Sequence, residues 1–93
     1  MLDADGYPEE EDIQKIESWD YRDLPGLFAF IKTVWWMADW GWHEKGRERH
    51  ISTGGWSGNE EIIGAMRKNH MVWTLTWVQS RRGGHYIFEL PEK

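Results

Sequence analysis

The 93-residue chain has no cysteine, only three prolines and no long uninterrupted apolar run. Without cysteine there is no disulfide framework and no thiolate for nucleophilic or metal chemistry. The longest apolar stretch, Leu24 to Trp42, is broken by Pro25, Gly26, Lys32 and Asp39, and falls short of the ~20 apolar residues that cross a bilayer. Positive charge is also scarce. Eleven Lys and Arg stand against 16 Asp and Glu, a net charge of −5, which argues against a general nucleic-acid binder. The start, Met1-Leu2-Asp3-Ala4-Asp5-Gly6, has neither the basic region nor the apolar run of a secretory signal. A cytoplasmic protein without a membrane partner is expected.

What the chain has in excess is tryptophan, at 8 of 93 positions, within an apolar content of 40%. That composition is globular rather than disordered, and the length fits one domain over residues 1–93. Charge is unevenly placed. Residues 1–23 carry nine acids against two bases, a net of −7, whereas residues 24–93 carry seven acids against nine bases, a net of +2. A mildly basic body thus follows an acidic segment, of which residues 1–7 read as a flexible tail.

The patterning predicts an α+β fold, about three helices on a short antiparallel sheet in the order α-α-β-α-β-β. A first helix starts near Pro8, with Glu9, Glu10, Glu11 and Asp12 at its positive end. Asp23 reads as the cap of a second helix that has Pro25 in its first turn and runs to about Asp39. That helix is apolar on nearly every face, so a homodimer is expected. Gly41 reads as a helix stop, His43 to Arg49 as a charged connector turning at Gly46, and His50 to Thr53 as a short strand. Ser57 and Glu60 have capping-box spacing, giving a third helix from about Gly58 to Lys68 with Asn69 as a left-handed stop. Met71 to Val78 alternates with the period of a strand and closes a C-terminal hairpin through an Arg82-Gly83 turn, pairing Trp77 with Phe88.

The stretch most suggestive of chemistry is Ser52-Thr53-Gly54-Gly55-Trp56-Ser57-Gly58-Asn59. A glycine-rich turn between a strand and a helix N-terminus presents backbone N–H groups to a phosphate. Arg47, Arg49 and His50 lie upstream, and Arg81, Arg82 and His85 surround the hairpin turn, with Trp56 and Tyr86 available to stack on a base. The predicted ligand site is therefore Arg47, Arg49, His50, Ser52, Gly54, Gly55, Trp56, Ser57, Arg81, Arg82, His85 and Tyr86. The competing reading is a purely structural turn, because Walker spacing is absent and Glu60 and Glu61 put negative charge where a phosphate would sit. Four histidines, His43, His50, His70 and His85, show no metal-ligand spacing, and no cofactor or metal is implied.

Trp73 and Trp77 share one face of the predicted strand and read as core. Trp35, Trp36, Trp40 and Trp42 cannot all face one core from a single helix, because neighbouring residues point about 100° apart. Trp35, Trp36 and Trp40 are therefore candidate protein-interface residues, together with the acids Glu9, Glu10, Glu11 and Asp12.

His50-Ile51-Ser52 resembles the H-x-[ST] motif of two-histidine phosphoesterases, but the second motif would have to be His85-Tyr86-Ile87, which lacks the hydroxyl residue. Ile51 to Ile63 and Ser80 to Tyr86 resemble segments of small uncharacterised bacteriophage and prophage proteins. That resemblance implies a phage setting, in the cytoplasm of a host cell, and carries no activity or catalytic residue with it. The expected function is non-enzymatic: binding, and sequestering, a phosphorylated small molecule such as a nucleotide signal of host defence. The alternative is a protein partner, the acidic first helix inhibiting a host nuclease or CRISPR-type complex. A small phosphoesterase is the third reading.

Overall fold

A computed structural model describes residues 7–91. The first helix, α1 (Glu10–Glu17), is started by Glu9 and closed by a capping box in which the Asp12 carboxylate accepts the Glu9 backbone N–H at 3.1 Å. Asp23 caps α2 (Leu24–Val34) by accepting the Gly26 N–H, with Pro25 in the first turn. Leu24, Leu27, Phe28, Ile31 and Val34 recur at helical spacing and are all buried. A short α3 (Ala38–Gly41) leads into β1 (Trp42–Lys45) and β2 (Glu48–Ser52). Then come α4 (Ser57–Lys68), α5 (His70–Thr76), β3 (Trp77–Arg81) and β4 (His85–Glu89). All strand pairs are antiparallel, in the order β1-β2-β4-β3. The chain is a single α+β domain, with helices and strands in roughly the predicted order.

Alternation along the strands sorts their side chains onto two faces. The register aligns Trp42, Ile51 and Tyr86, and beside them Arg49, Phe88 and Trp77, on the inner face. Phe28 of α2 meets this face, its ring 5.6 Å from Phe88 and 6.4 Å from Trp42. Trp73 of α5 closes it, edge-on to Phe88 at 5.5 Å. The outer face carries His43, His50, Ile87 and Gln79 across the sheet, with Ser52, His85 and Arg81 toward one end and Glu48 and Glu89 toward the other.

Several sequence expectations are corrected. The second helix does not reach Asp39: it ends at Val34, Trp35 is extended, and Met37 adopts a left-handed φ of 60° before α3 begins. Leu24, Leu27, Phe28, Ile31 and Val34 are buried within the monomer and Phe30 is half-buried, while Pro25, Ala29, Lys32 and Thr33 are exposed, so the helix is not apolar on every face. The connector at His43 to Arg49 is instead the β1–β2 hairpin, with Gly46 at its turn (φ 60°) as expected. Residues 71–76 are helical, not extended. Val72 and Thr76 form the buried stripe of α5, and the Thr76 hydroxyl donates to the Val72 carbonyl at 2.7 Å.

The C-terminal pairing keeps Trp77 opposite Phe88, but a bulge after Trp77 shifts the rest, so that Arg81 pairs with His85 around a three-residue turn, 82–84. Trp77 consequently sits on the edge strand, 44% exposed, rather than in the core. The Ser57–Glu60 capping box is not formed. Trp56 is the N-cap of α4, Ser57 Oγ donates to the Tyr7 hydroxyl, and Glu60 accepts from Thr53 Oγ1. Asn69 is not left-handed (φ −83°). Its amide donates to the carbonyls of Ile16 and Trp19, tying down the end of α1. The tail expected over residues 1–7 lies outside the described residues except for Tyr7, which packs on Trp56 with ring centroids 4.8 Å apart.

Candidate functional site

The adjacency of β2 and β4 makes the site. Ser52 and His85 face each other across the ladder, and Ser52 Oγ lies 2.7 Å from His85 Nδ1. His50, two residues earlier on the same face, has its ring centroid 6.1 Å from that of His85. His43 of β1 is the cross-strand partner of His50, and Arg81 of β3 that of His85. Three imidazoles and a guanidinium thus cross all four strands in one band. Partial burial, and the positive potential of His50, Arg81 and His43 beside it, hold the His85 imidazole below the ordinary histidine value. Burial is the larger cause and the neighbouring basic groups add to it, while the carboxylate on this face, Glu48, is engaged by His50.

Two ring nitrogens have fixed partners. His50 Nε2–H donates to Glu48 Oε1 at 2.8 Å, and His43 Nε2–H donates to the Trp40 carbonyl at 3.1 Å. Because carboxylate and carbonyl oxygens only accept here, each of these nitrogens carries a proton. Beneath the band lies Ile87, only 5% exposed though it faces outward and stands apart from the main core cluster. The register sets His50 and Gln79 on either side of it, giving the band an apolar floor.

The twelve predicted ligand residues do not form one site. His50, Ser52, His85 and Arg81 are brought together, with Arg82 in the adjoining turn. Arg47 and Arg49 are not with them. Arg47 donates to the Leu90 carbonyl at the far end of the sheet. Arg49 points inward, where its guanidinium donates to the carbonyls of Gly46 and Glu48 and lies 3.6 Å from Glu44. The Trp42 indole N–H, with Arg49 and Lys32 nearby, holds the Glu44 carboxyl below its ordinary value, so this cluster braces the β1–β2 hairpin. Tyr86 is on the inner face against Trp73 and Phe88.

The glycine turn is largely self-satisfied. Gly54 and Gly55 have φ of 64° and 75°, the Gly55 N–H donates to Thr53 Oγ1, and the Trp56 N–H donates to the Thr53 carbonyl. Trp56 stacks on Trp36 at 4.4 Å. Among the predicted interface residues, Trp35 is a core residue at 3% exposure, its indole N–H donating to the Ser52 carbonyl, while Trp36 and Trp40 are exposed. Of the four acids, Glu9 and Asp12 form the α1 capping box, leaving Glu10 and Glu11 exposed.

Two residues of the site region were not predicted as ligand residues. His43 reads as part of a connector in the sequence, and only its strand pairing brings it beside His50. Trp40 reads as an interface tryptophan, yet its ring lies against Gly54, just past Ser52. Among the described residues no group of three or more His, Asp or Glu is placed to hold a metal ion, and no helix is long and apolar enough to cross a membrane. No protein-family model, curated protein or solved structure matches the chain, so the reading of this site rests on its own geometry.

Proposed function

We propose that the protein is a non-enzymatic binder of a phosphorylated small molecule, held on the outer face of the sheet by His50, Ser52, His85 and Arg81, with Arg82 at the rim. The observation that carries this reading is the convergence of Ser52, His50 and His85 on adjacent strands beside Arg81. A phosphate there would accept from the His85 Nε2–H, the Ser52 hydroxyl and the Arg81 guanidinium, the bond from the guanidinium being charge-assisted and stronger than a neutral one. Its negative charge would also favour the protonated form of His85, which burial and the neighbouring basic groups now disfavour. In the phage setting that the sequence segments resemble, such a protein would act by sequestering a nucleotide signal of host defence.

An anion favours proton uptake at His85, whose charged and titratable surroundings are His50 (bonded to Glu48), His43 and Arg81, with Arg82 in the adjoining turn. Affinity is therefore expected to rise as pH falls from 7.5 to 6. Calorimetry of the folded protein against inorganic phosphate, nucleotides and cyclic nucleotides at both pH values tests this. Saturable binding, stronger at pH 6 and lost in the His50→Ala/His85→Ala double variant, is expected. Absence of binding to every member by folded protein overturns the reading.

The 6.1 Å spacing of His50 and His85 also favours a second reading, phosphoester cleavage with the two imidazoles flanking the phosphorus. Phosphorus NMR of the same mixtures separates the two. Turnover that His50→Ala abolishes while binding persists would replace the first reading by the second.

A further inference from the structure

We infer that the phosphorylated ligand carries a flat aromatic ring of the nucleobase kind, and that the indole of Trp40 is the surface on which that ring lies. The inference rests on the anion-binding reading of the outer face and adds what the other end of the ligand must be.

Trp40 is 60% exposed, more than any other large apolar side chain described. It is nevertheless held in place. The Trp40 and Gly41 N–H groups both donate to the Met37 carbonyl, at 3.0 and 2.9 Å, so α3 is wound tightly against the start of β1. That winding requires the left-handed Met37, a conformation unfavourable for a side chain of this kind. One side of the indole rests on Gly54, where an added Cβ would stand 3.1 Å from Cζ3 and 3.6 Å from Cη2. Only a glycine lets the ring lie this close to the turn, and the left-handed φ of 64° at Gly54 suits glycine as well. A large ring fixed in position and far from fully covered suits stacking by a planar partner.

The Trp40 main chain is also tied to the histidine band. The Trp40 backbone carbonyl accepts from His43 Nε2, and His43 is the strand partner of His50, which stands beside His85. The ring lies against Gly54, two residues past Ser52 of the anion site, and two residues of extended chain span only about 7 Å, a reach that a nucleobase, its sugar and a phosphate can bridge. The other tryptophans are engaged. Trp36 and Trp56 stack on each other, Trp19 stacks on Phe30, Trp35 and Trp42 are buried, and Trp77 stacks on Trp73.

Three probes separate the ring from the anion: inorganic phosphate, ribose 5-phosphate and adenosine 5′-monophosphate, titrated at pH 6 into wild type and Trp40→Ala. Wild type is expected to bind the nucleotide tighter than ribose 5-phosphate by about tenfold or more, the scale of one base–aromatic stack. Trp40→Ala should abolish that difference while leaving phosphate affinity unchanged. Equal affinity for the nucleotide and ribose 5-phosphate in wild type, or a difference that survives in Trp40→Ala, overturns the inference and leaves the anion site standing. Binding of none of the three overturns the anion site itself. Intermolecular contacts between the adenine protons and the Trp40 indole, read by NMR on wild type, decide the question independently of whether the variant folds; their absence in a saturated complex counts against stacking.

Discussion

The two faces of the sheet are built from the same strands, yet they differ in almost every physical respect. The inner face is a continuous aromatic and aliphatic layer in which Trp42, Ile51 and Phe88 meet Phe28, Ile31 and Trp73. Among the described residues, Ile87, the apolar residue of the outer face on β4, stands outside the main core cluster. The outer face holds polar groups at short range, and the neighbours of His85 disfavour its charge rather than neutralise it. His43, His50, His85 and Arg81 form a polar band across the four strands, a composition that contributes little apolar burial to the fold. The inner face secures the fold, and the outer face is where a ligand would supply what the side chains lack.

The sharpest break between the faces should appear on truncation. Phe88 is fully buried at 0% exposure and touches Phe28, Trp73 and Tyr86. Phe88→Ala is expected to cost about 3–5 kcal/mol, the range for removing a buried ring. Its strand neighbour His85, with its side chain outward, should cost under ~1 kcal/mol on replacement by Ala, as surface changes do. Urea denaturation of the two variants measures both. Comparable losses would mean that the outer face is structural.

The existence of the strands through His50–Ser52 and Tyr86–Phe88 was legible, as were the Asp23 cap and the Trp77–Phe88 pair, but not which face each residue takes: Arg49 and Tyr86, expected with the ligand residues, lie on the inner face. The convergence of His50, Ser52 and His85 followed from supposing those two strands to be neighbours. Three features were hidden for distinct reasons. Met71 to Thr76 consists of residues that suit a strand on both alternating sets, so its helical stripe at Val72 and Thr76 showed only on folding. Strand β1 has one apolar residue, Trp42, and otherwise charge and histidine, so it resembled a loop. Trp40 was obscured because composition shows how many tryptophans there are and not which backbone turn leaves one outside. The left-handed Met37 makes that choice, and no residue preference announces it.

An intermediate effect is expected where the two faces are joined. Asn59 of α4 is buried, and its side chain bonds both the N–H and the carbonyl of Trp36 and also the Thr53 carbonyl. It thereby fixes the segment that leads into α3 and, through it, Trp40. Asn59→Ala should cost about 1–3 kcal/mol, the penalty for leaving buried polar groups without partners. It should also weaken nucleotide binding without weakening binding of inorganic phosphate. Loss of stability with nucleotide affinity unchanged would uncouple the inner scaffold from the outer surface.

Gly54→Ala should act on the same surface with a smaller effect on the fold, about 1 kcal/mol for a side chain at a left-handed backbone position. Its new Cβ would press on Cζ3 of Trp40. Tilting of the indole is then readable as a change in near-ultraviolet circular dichroism. An unchanged aromatic spectrum with unchanged nucleotide affinity would show that contact with Gly54 does not set the ring's position.

The smallest effect is the pH dependence of the unliganded fold, and its sign is opposite to that of binding. The His85 imidazole is held below its ordinary value of 6.5 in the folded state, so below about that pH the unfolded chain takes up a proton that the folded chain resists. Stability contributed by neutral His85 is therefore full above pH 6.5 and is lost as the pH falls toward the depressed folded value. Ligand affinity should rise over the same interval, because an anion reverses the disfavour toward charge at His85. The two trends can be read together by following the thermal midpoint from pH 7.5 to 5.5 with and without inorganic phosphate. Without phosphate the midpoint should fall on acidification, and the increase produced by phosphate should grow. His85→Gln, which cannot titrate, should lessen both trends. If the phosphate-induced increase instead stays constant across this range in wild type, the anion does not sit against His85, and the contrast between the two faces would have to be explained without it.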